Sequence, residues 1–394
     1  MKKLLLATAA TALLTGAASA EEIKLGILFG FTGPLETMSP DMQRGAELAI
    51  SEVNEAGNLL EGSTVRAVTG DTTCIDAAAA TAAAERLITA EGVHGIVGGM
   101  CSGETIAILE NVALPNGVVM VSPSATSPAL STIEDNGLFF RTSPSDARQG
   151  EVMADLILEK DIDTVAVSYT NNDYGKGLAD SFAASFTEKG GTVTVNSAHD
   201  DGKPDYSAEV AALASAGGDA LVVVGYVDQG GSGIVRGALD TGAFDIFVFP
   251  DGMISNTLTS SFGSEIDGSF GQNPAGEGEG RDTFVELAEA AGFDGTGTFA
   301  GESYDAAALI LLAMAKAGST DPNVYKDSVM DIANEPGEKI MPGELGRAIE
   351  IIAEGGDVDY VGATAVELIE PGESAGVYRE LSFEGGEMSV VGYR

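Results

Sequence analysis

Histidine and basic side chains are scarce in this sequence, and their scarcity removes several functional classes at once. Among 394 residues there are 2 histidines and 20 lysines and arginines, against 60 aspartates and glutamates. A formal net charge of −40 repels nucleic acid, anionic lipid surfaces and anionic ligands, and suits a neutral or zwitterionic small molecule. The acidic residues are spread along the chain, and aromatic and β-branched residues are ample, so disorder is not expected. His94 and His199 have no ligand spacing to other donors, which leaves no metal site to expect. Nucleotide signatures are missing as well: the first strand runs into "GILFGFTG", which does not match G-x-G-x-x-G, and no P-loop follows. "GMCSGE" lacks the spacing of a nucleophile elbow, and neither histidine sits where it could serve one. The expectation is a chain that is not an enzyme and carries no catalytic residue, cofactor or metal. No internal stretch is apolar over the roughly 20 residues needed to cross a bilayer. "AALILLAMAKAG" at 307–318 has the length of a soluble helix.

The first residues read MKKLLLATAATALLTGAASA. Lys2 and Lys3, an apolar run from Leu4 to Leu14, and Ala18-Ser19-Ala20 form an export signal over residues 1–20. No Cys follows the expected cut, so a lipid anchor is not expected. Removing the signal leaves 18 basic against 60 acidic residues, a net −42. The expected compartment is the periplasm. Cys74 and Cys101 are the only cysteines. In an exported chain an isolated pair reads as one disulfide.

Strands and helices alternate from there on. "IKLGILFGFTGP" (23–34) reads as a strand and "MQRGAELAISEVNEAG" (42–57) as a helix stopped by Gly57. The unit repeats through "STVRAVTGD", "VHGIVGG" and "VVMVSPSA", each separated by a helical stretch. This specifies a parallel sheet covered on both faces. A second series runs through "TVAVSYTNND" (164–173), "TVTVNSAHD", "DALVVVGYVD" (219–228) and "DIFVFPDG" (245–252), again with helices between. Two such series predict two similar doubly wound lobes. "GSFGQNPAGEGEGRD" (268–282) reads as a Gly-rich crossover. The later helices "DTFVELAEAAG" and "SYDAAALILLAMAKAG" have no strands of their own before "YVGATAVELIE" (360–370) and are expected to pack back on the first lobe.

Two hydroxyl clusters end apolar runs in the first lobe, "CSGE" at 101–104 and "VSPSATSP" at 121–128. Ser102 opens a helix. It suits an N-cap, and equally a carboxylate site built from free N–H groups and the positive helix end. Ser122, Ser124 and Thr126 follow the next strand, where an open α/β sheet places its ligand crevice, and Pro123 and Pro128 keep that loop extended.

The segments "IKLGILFGFTGP", "RGAELAISEVN", "DTTC", "GGMCSGETIA", "VSPSATSPAL", "FFRTSPSDARQG", "NDYGKGLADSF" and "DYSAEVAAL" together resemble the periplasmic substrate-binding proteins of ATP-driven amino-acid importers, in the leucine/isoleucine/valine-binding branch. The resemblance is strong to about residue 270 and weaker beyond. It implies an α/β chain of two Rossmann-like, doubly wound lobes joined by a three-strand hinge, the type I or Venus-flytrap architecture. The implied division is residues 21–141 plus about 271–364 in lobe 1 and 142–270 plus about 365–394 in lobe 2. It also implies capture of an amino acid between closing lobes and delivery to an inner-membrane ABC permease by a monomeric protein.

Carried over by position, Ser102 and Thr126 resemble the pair that holds the ligand α-carboxylate, and Ser124 offers its carbonyl to the α-ammonium. Tyr174 and Tyr226 match tyrosines that close over the ligand. Asp251 falls where an acidic residue takes the ammonium, and Cys74 and Cys101 match the family's single disulfide. Two departures bear on specificity. Asp251 is one methylene shorter than the usual glutamate, and Met38, flexible and apolar, stands where an aromatic often lines the side-chain pocket. The expected ligand is a neutral, aliphatic amino acid; an amide or small carboxylic acid in the same fold, and a sensory receptor module, are the alternatives.

Overall fold

The computed structural model describes residues 22–394; the export signal expected over 1–20 lies outside them. Its strands, in chain order, are β1 (Glu22–Phe29), β2 (Thr64–Asp71), β3 (Gly95–Gly98), β4 (Met120–Ser122), β5 (Phe139–Arg141), β6 (Thr164–Thr170), β7 (Thr192–His199), β8 (Ala220–Val224), β9 (Phe247–Phe249), β10 (Phe270–Pro274), β11 (Glu338–Ile340), β12 (Val358–Tyr360), β13 (Leu368–Ile369), β14 (Glu373–Ser374), β15 (Tyr378–Glu384) and β16 (Glu387–Tyr393). They build two seven-stranded sheets, ordered β13-β14-β5-β4-β3-β1-β2 and β16-β15-β10-β9-β8-β6-β7. In each sheet the strand order reverses around a parallel centre, and an antiparallel pair closes one edge. The two doubly wound lobes expected from the alternation are therefore present.

The helices form where the apolar spacing places them. Ser39–Ala56 buries Met42, Ala46, Ala49, Ile50 and Val53 on one face, and it stops at Gly57, whose φ of 64° only glycine adopts without cost. Its partner is Ala300–Ala317, buried along most of its length, with Leu309, Ile310, Leu311 and Leu312 fully enclosed. Each such side chain contributes on the order of 1.5–3 kcal/mol by leaving water. The two helices approach so closely that a Cβ on Gly45 would lie 2.2 Å from the Ala300 carbonyl oxygen. As expected, the late helices pack on the first lobe.

Three crossovers join the lobes: from β5 into the helix Asp146–Glu159, from β10 into the helix Glu279–Ala291, and from β14 to β15. Three differences from the expected layout follow. The stretch 268–282 is not a break throughout, because Phe270–Pro274 forms the fully buried β10, and the crossover narrows to the residues after it. Its polar Gln272 and Asn273 fit a buried strand by hydrogen bonding to Gln149, Thr298 and Arg379. The last crossover lies between Ser374 and Tyr378, later than about 364, since β13 and β14 extend the first sheet beside β5. The stretch 360–370 is not one strand: β12 ends at Tyr360 and pairs with β11 in a small sheet, with the helix Leu345–Ala353 between them.

Among the described residues, no helix is long and apolar enough to cross a membrane. Cys74 and Cys101 are joined in a disulfide that ties the loop after β2 to the start of the helix Ser102–Ile108.

Candidate functional site

The carboxyl ends of β3 and β4 carry the two hydroxyl clusters, and the clusters are tied to each other. Ser122 Oγ donates to the Gly99 carbonyl at 2.7 Å, Ser124 Oγ donates to the Met100 carbonyl at 2.8 Å, and the Ser127 N–H donates to Ser102 Oγ at 3.0 Å. Each bond fixes what the hydroxyl has left to offer. Ser102 Oγ accepts, so its hydrogen remains free to donate; Ser124 Oγ has given its hydrogen away and keeps only acceptor capacity. Buried Arg141 holds the second loop from behind, donating to the carbonyls of Ala125 and Ser127 at 3.0 Å and pairing with Glu373. Glu104, in the first helical turn, accepts from the Met100 and Cys101 N–H groups at 2.8 and 2.9 Å. Burial pushes its carboxyl up to about 7.

The second lobe contributes the facing wall. Asp251 follows β9 and is buried. Its Oδ1 accepts from Tyr174 Oη at 3.0 Å and from Gln149 Nε2 at 2.8 Å. Burial raises its pKa, and the two hydrogen bonds partly offset that rise. Tyr174 stacks on Tyr226 with ring centroids 5.3 Å apart, and Tyr226 Oη accepts from Asn172 at 3.2 Å.

Between these walls lies a narrow cleft, lined by Leu35, Met100, Cys101, Ser102, Ser124, Tyr174, Tyr226, Asp251, Gly252 and Phe299. Five of the residues singled out in the sequence thus meet: Ser102, Ser124, Tyr174, Tyr226 and Asp251. Thr126 and Met38 do not line it. Thr126 is fully buried behind the loop, and Met38 is turned into the core at the start of the helix Ser39–Ala56. Leu35, three residues before Met38, takes the wall position instead. Leu35, Met100 and Phe299 escaped sequence reading because isolated apolar residues in loops look like any other core contact.

The lobes are closed on one another. Thr37 of the first lobe donates to the Asp228 carboxylate of the second through its N–H at 2.9 Å and its hydroxyl at 2.8 Å. Ser127 Oγ reaches the Asp173 carbonyl at 3.1 Å, and Asn256 reaches Asp294 at 3.3 Å. In this state the cleft has free room for about one water molecule. A larger groove between the helices Ser207–Ala216 and Gly230–Thr241 opens on the second lobe, lined by Tyr206, Val210 and Arg236. It draws on neither hydroxyl cluster and is not opposed by the other lobe. Among the described residues no cluster of three or more His, Cys, Asp or Glu side chains could hold a metal.

A sequence profile of the family described as periplasmic binding protein matches residues 22–331. The Leu/Ile/Val-binding protein homolog 1 of Brucella suis is 30% identical over 345 residues, covering 83% of this chain and 90% of that protein. The leucine-, isoleucine-, valine-, threonine- and alanine-binding protein of Pseudomonas aeruginosa is 30% identical over 320 residues, 79% of this chain and 83% of its own. Among solved structures, the leucine-binding protein LivK of Thermotoga maritima superposes with a TM-score of 0.79 at 23% identity, covering 94% of this chain and 98% of that one. LivJ of Streptococcus pneumoniae, in complex with isoleucine, gives 0.77 at 23% identity, with 94% and 99% covered. A solute-binding protein of R. palustris, in complex with benzoate, gives 0.77 at 18% identity, with 94% and 96% covered. Two lobes, three crossovers, a shared cleft and a family match over most of the chain lead to one conclusion: this chain belongs to the periplasmic binding protein family, whose members bind solutes and are not enzymes.

Proposed function

We propose that the chain is an extracytoplasmic receptor for a neutral, aliphatic α-amino acid, which it captures between its lobes and delivers to an ABC-type importer in the inner membrane. One observation carries the proposal: donors from the first lobe and the buried Asp251 carboxylate from the second face each other across a single small cleft. A zwitterion answers both walls. Its carboxylate meets the Ser102 hydroxyl and the N–H groups that begin the following helix, while its ammonium meets Asp251 and the acceptor side of Ser124. Leu35, Met100 and Phe299 supply apolar surface and no further charge, in keeping with an aliphatic side chain. The Brucella and Pseudomonas relatives, known as binding proteins for leucine, isoleucine and valine, support the same ligand class.

A cleft with room for about one water must open to load, so the proposal requires the lobes to part and close again. Calorimetric titration with leucine, isoleucine, valine, alanine and threonine tests it. Saturable one-to-one binding of at least one is expected. Binding of small carboxylic acids alone would replace the amino acid with the ligand class bound by the R. palustris protein.

A further inference from the structure

Two arginines, one from each lobe, meet at the hinge without a counter-charge. Arg379 lies on β15 of the second lobe and is buried; Arg281 lies in the helix Glu279–Ala291 of the first and is half-buried. Both line a narrow cavity walled by Ala275 and Gly276 of the second crossover and by Gly301 and Glu302 in the first turn of the helix Ala300–Ala317. The first crossover reaches the same place, where Thr142 Oγ1 donates to the Glu302 carbonyl at 2.8 Å. The cavity has free room for about one water-sized particle.

Although the chain carries 60 acids to 20 bases, neither guanidinium forms an ion pair among the described residues. Arg379 Nε donates to Asn273 Oδ1 at 2.8 Å and Nη1 to the Thr296 carbonyl at 3.1 Å, both neutral acceptors, which leaves Nη2 for the cavity. Arg281 makes no hydrogen bond to a described residue. The nearby acids are already engaged: Asp305 accepts from Tyr360, Ala363 and Thr364, and Asp294 from Thr296 and Asn256. Glu302 remains, buried, and its carboxyl meets its own backbone N–H and no other donor. Burial pushes it up to about 8, so near neutral pH it is protonated and offers the cavity an O–H in place of a charge. Burial first, and then the neighbouring Arg281 charge, push the Arg379 guanidinium down from its ordinary value. A buried cation without a partner is costly, and water fills such a space without offsetting its charge.

We propose that this cavity is a site for a small inorganic anion of halide size, held between Arg281 and Arg379 and bridging the lobes at the hinge. Donors from both lobes serve it: the Arg379 nitrogen left over, the Arg281 guanidinium, and the start of an 18-residue helix that no side chain caps. The narrow room excludes a sulfate or a carboxylate, whereas a halide needs only a small shift of the half-buried Arg281. The anion supplies the counter-charge that the chain withholds, so it stabilises the folded protein in step with its occupancy. The cavity shares no residue with the amino-acid cleft, and the site stands whichever ligand that cleft takes.

Thermal unfolding of the wild-type protein at about pH 7 in sodium bromide and in sodium gluconate, at one ionic strength so that general screening cancels, tests the site. A saturable rise in melting temperature with bromide is expected, about 2 °C at ten times the dissociation constant. Arg281→Gln, at a half-buried position with no hydrogen bond to lose, is expected to remove the rise. Crystals soaked in bromide locate the ion by its anomalous scattering, with a peak expected between the two guanidiniums. That measurement needs no variant and decides the matter should Arg281→Gln fold poorly. Equal melting temperatures in the two salts, a rise that persists in Arg281→Gln, or no bromide between Arg281 and Arg379 overturns the proposal.

Discussion

Tyr174 donates its phenolic hydrogen to Asp251 Oδ1 at 3.0 Å and accepts from the Gly252 N–H at 3.2 Å. One side chain thus orients the carboxylate and the turn that carries it. Burial lifts the Tyr174 hydroxyl well above the ordinary tyrosine range, so it remains a donor throughout the range of use. Tyr174→Phe removes that donor and leaves a buried carboxylate oxygen with one partner fewer. The expected loss in amino-acid affinity is about 1 kcal/mol, or roughly fivefold, measured by calorimetry. The stacking on Tyr226 at 5.3 Å needs only the ring, so a loss much larger than this would assign the hydroxyl a direct role at the ligand.

Closure without ligand depends on contacts between lobes, and the two hydrogen bonds from Thr37 to Asp228 are the most concentrated of them. Asp228→Ala should move the empty protein toward the open form and raise its radius of gyration by small-angle scattering. Because binding draws on the closed fraction, amino-acid affinity should fall by about three- to tenfold. An unchanged radius together with unchanged affinity would show that the latch does not bias closure.

Glu302 lies at the hinge, in a small cavity it shares with Arg281 and Arg379. Burial pushes its carboxyl up to about 8, from an ordinary value of 4.5. Between those values the folded protein holds more protons than the unfolded chain, so stability falls as pH rises through the window and the loss is complete above about 8. Glu302→Gln keeps the shape without the charge. Its melting temperature should match wild type at about pH 5 and exceed it by a few degrees at about pH 9. Parallel curves across that range would contradict a neutral Glu302 in the fold.

Much of this was legible in the sequence. The Val- and Ile-rich runs and the helical stretches between them are long and regular, and the two hydroxyl clusters mark the ends of β3 and β4 where a doubly wound sheet holds its ligand. What escaped did so for physical reasons. Gln272 and Asn273 look like loop residues, but partners distant in sequence satisfy them inside β10. Glu338-Lys339-Ile340 has no strand-like alternation, and pairing with β12 alone makes it β11. Asp146 within "SPSDARQG" reads as an acid at a solvated helix start; only the fold shows that it is fully buried.

The central claim is that the cleft recognises both ends of a zwitterion, the carboxylate from the first lobe and the ammonium from Asp251. The most direct measurement is the affinity of leucine and of 4-methylpentanoic acid for wild-type protein and for Asp251→Ala and Ser102→Ala, by calorimetry at fixed pH and salt. Breaking a buried charge-assisted pair costs on the order of 2–5 kcal/mol, so Asp251→Ala should weaken leucine by roughly 30- to several-thousand-fold and 4-methylpentanoic acid far less. Ser102→Ala should weaken both ligands alike, by about 1–3 kcal/mol, because the N–H groups of the helix start remain. Leucine bound as tightly by Asp251→Ala as by wild type, with both ligands lost together in Ser102→Ala, would contradict the account and make the protein a receptor for acids without an amine.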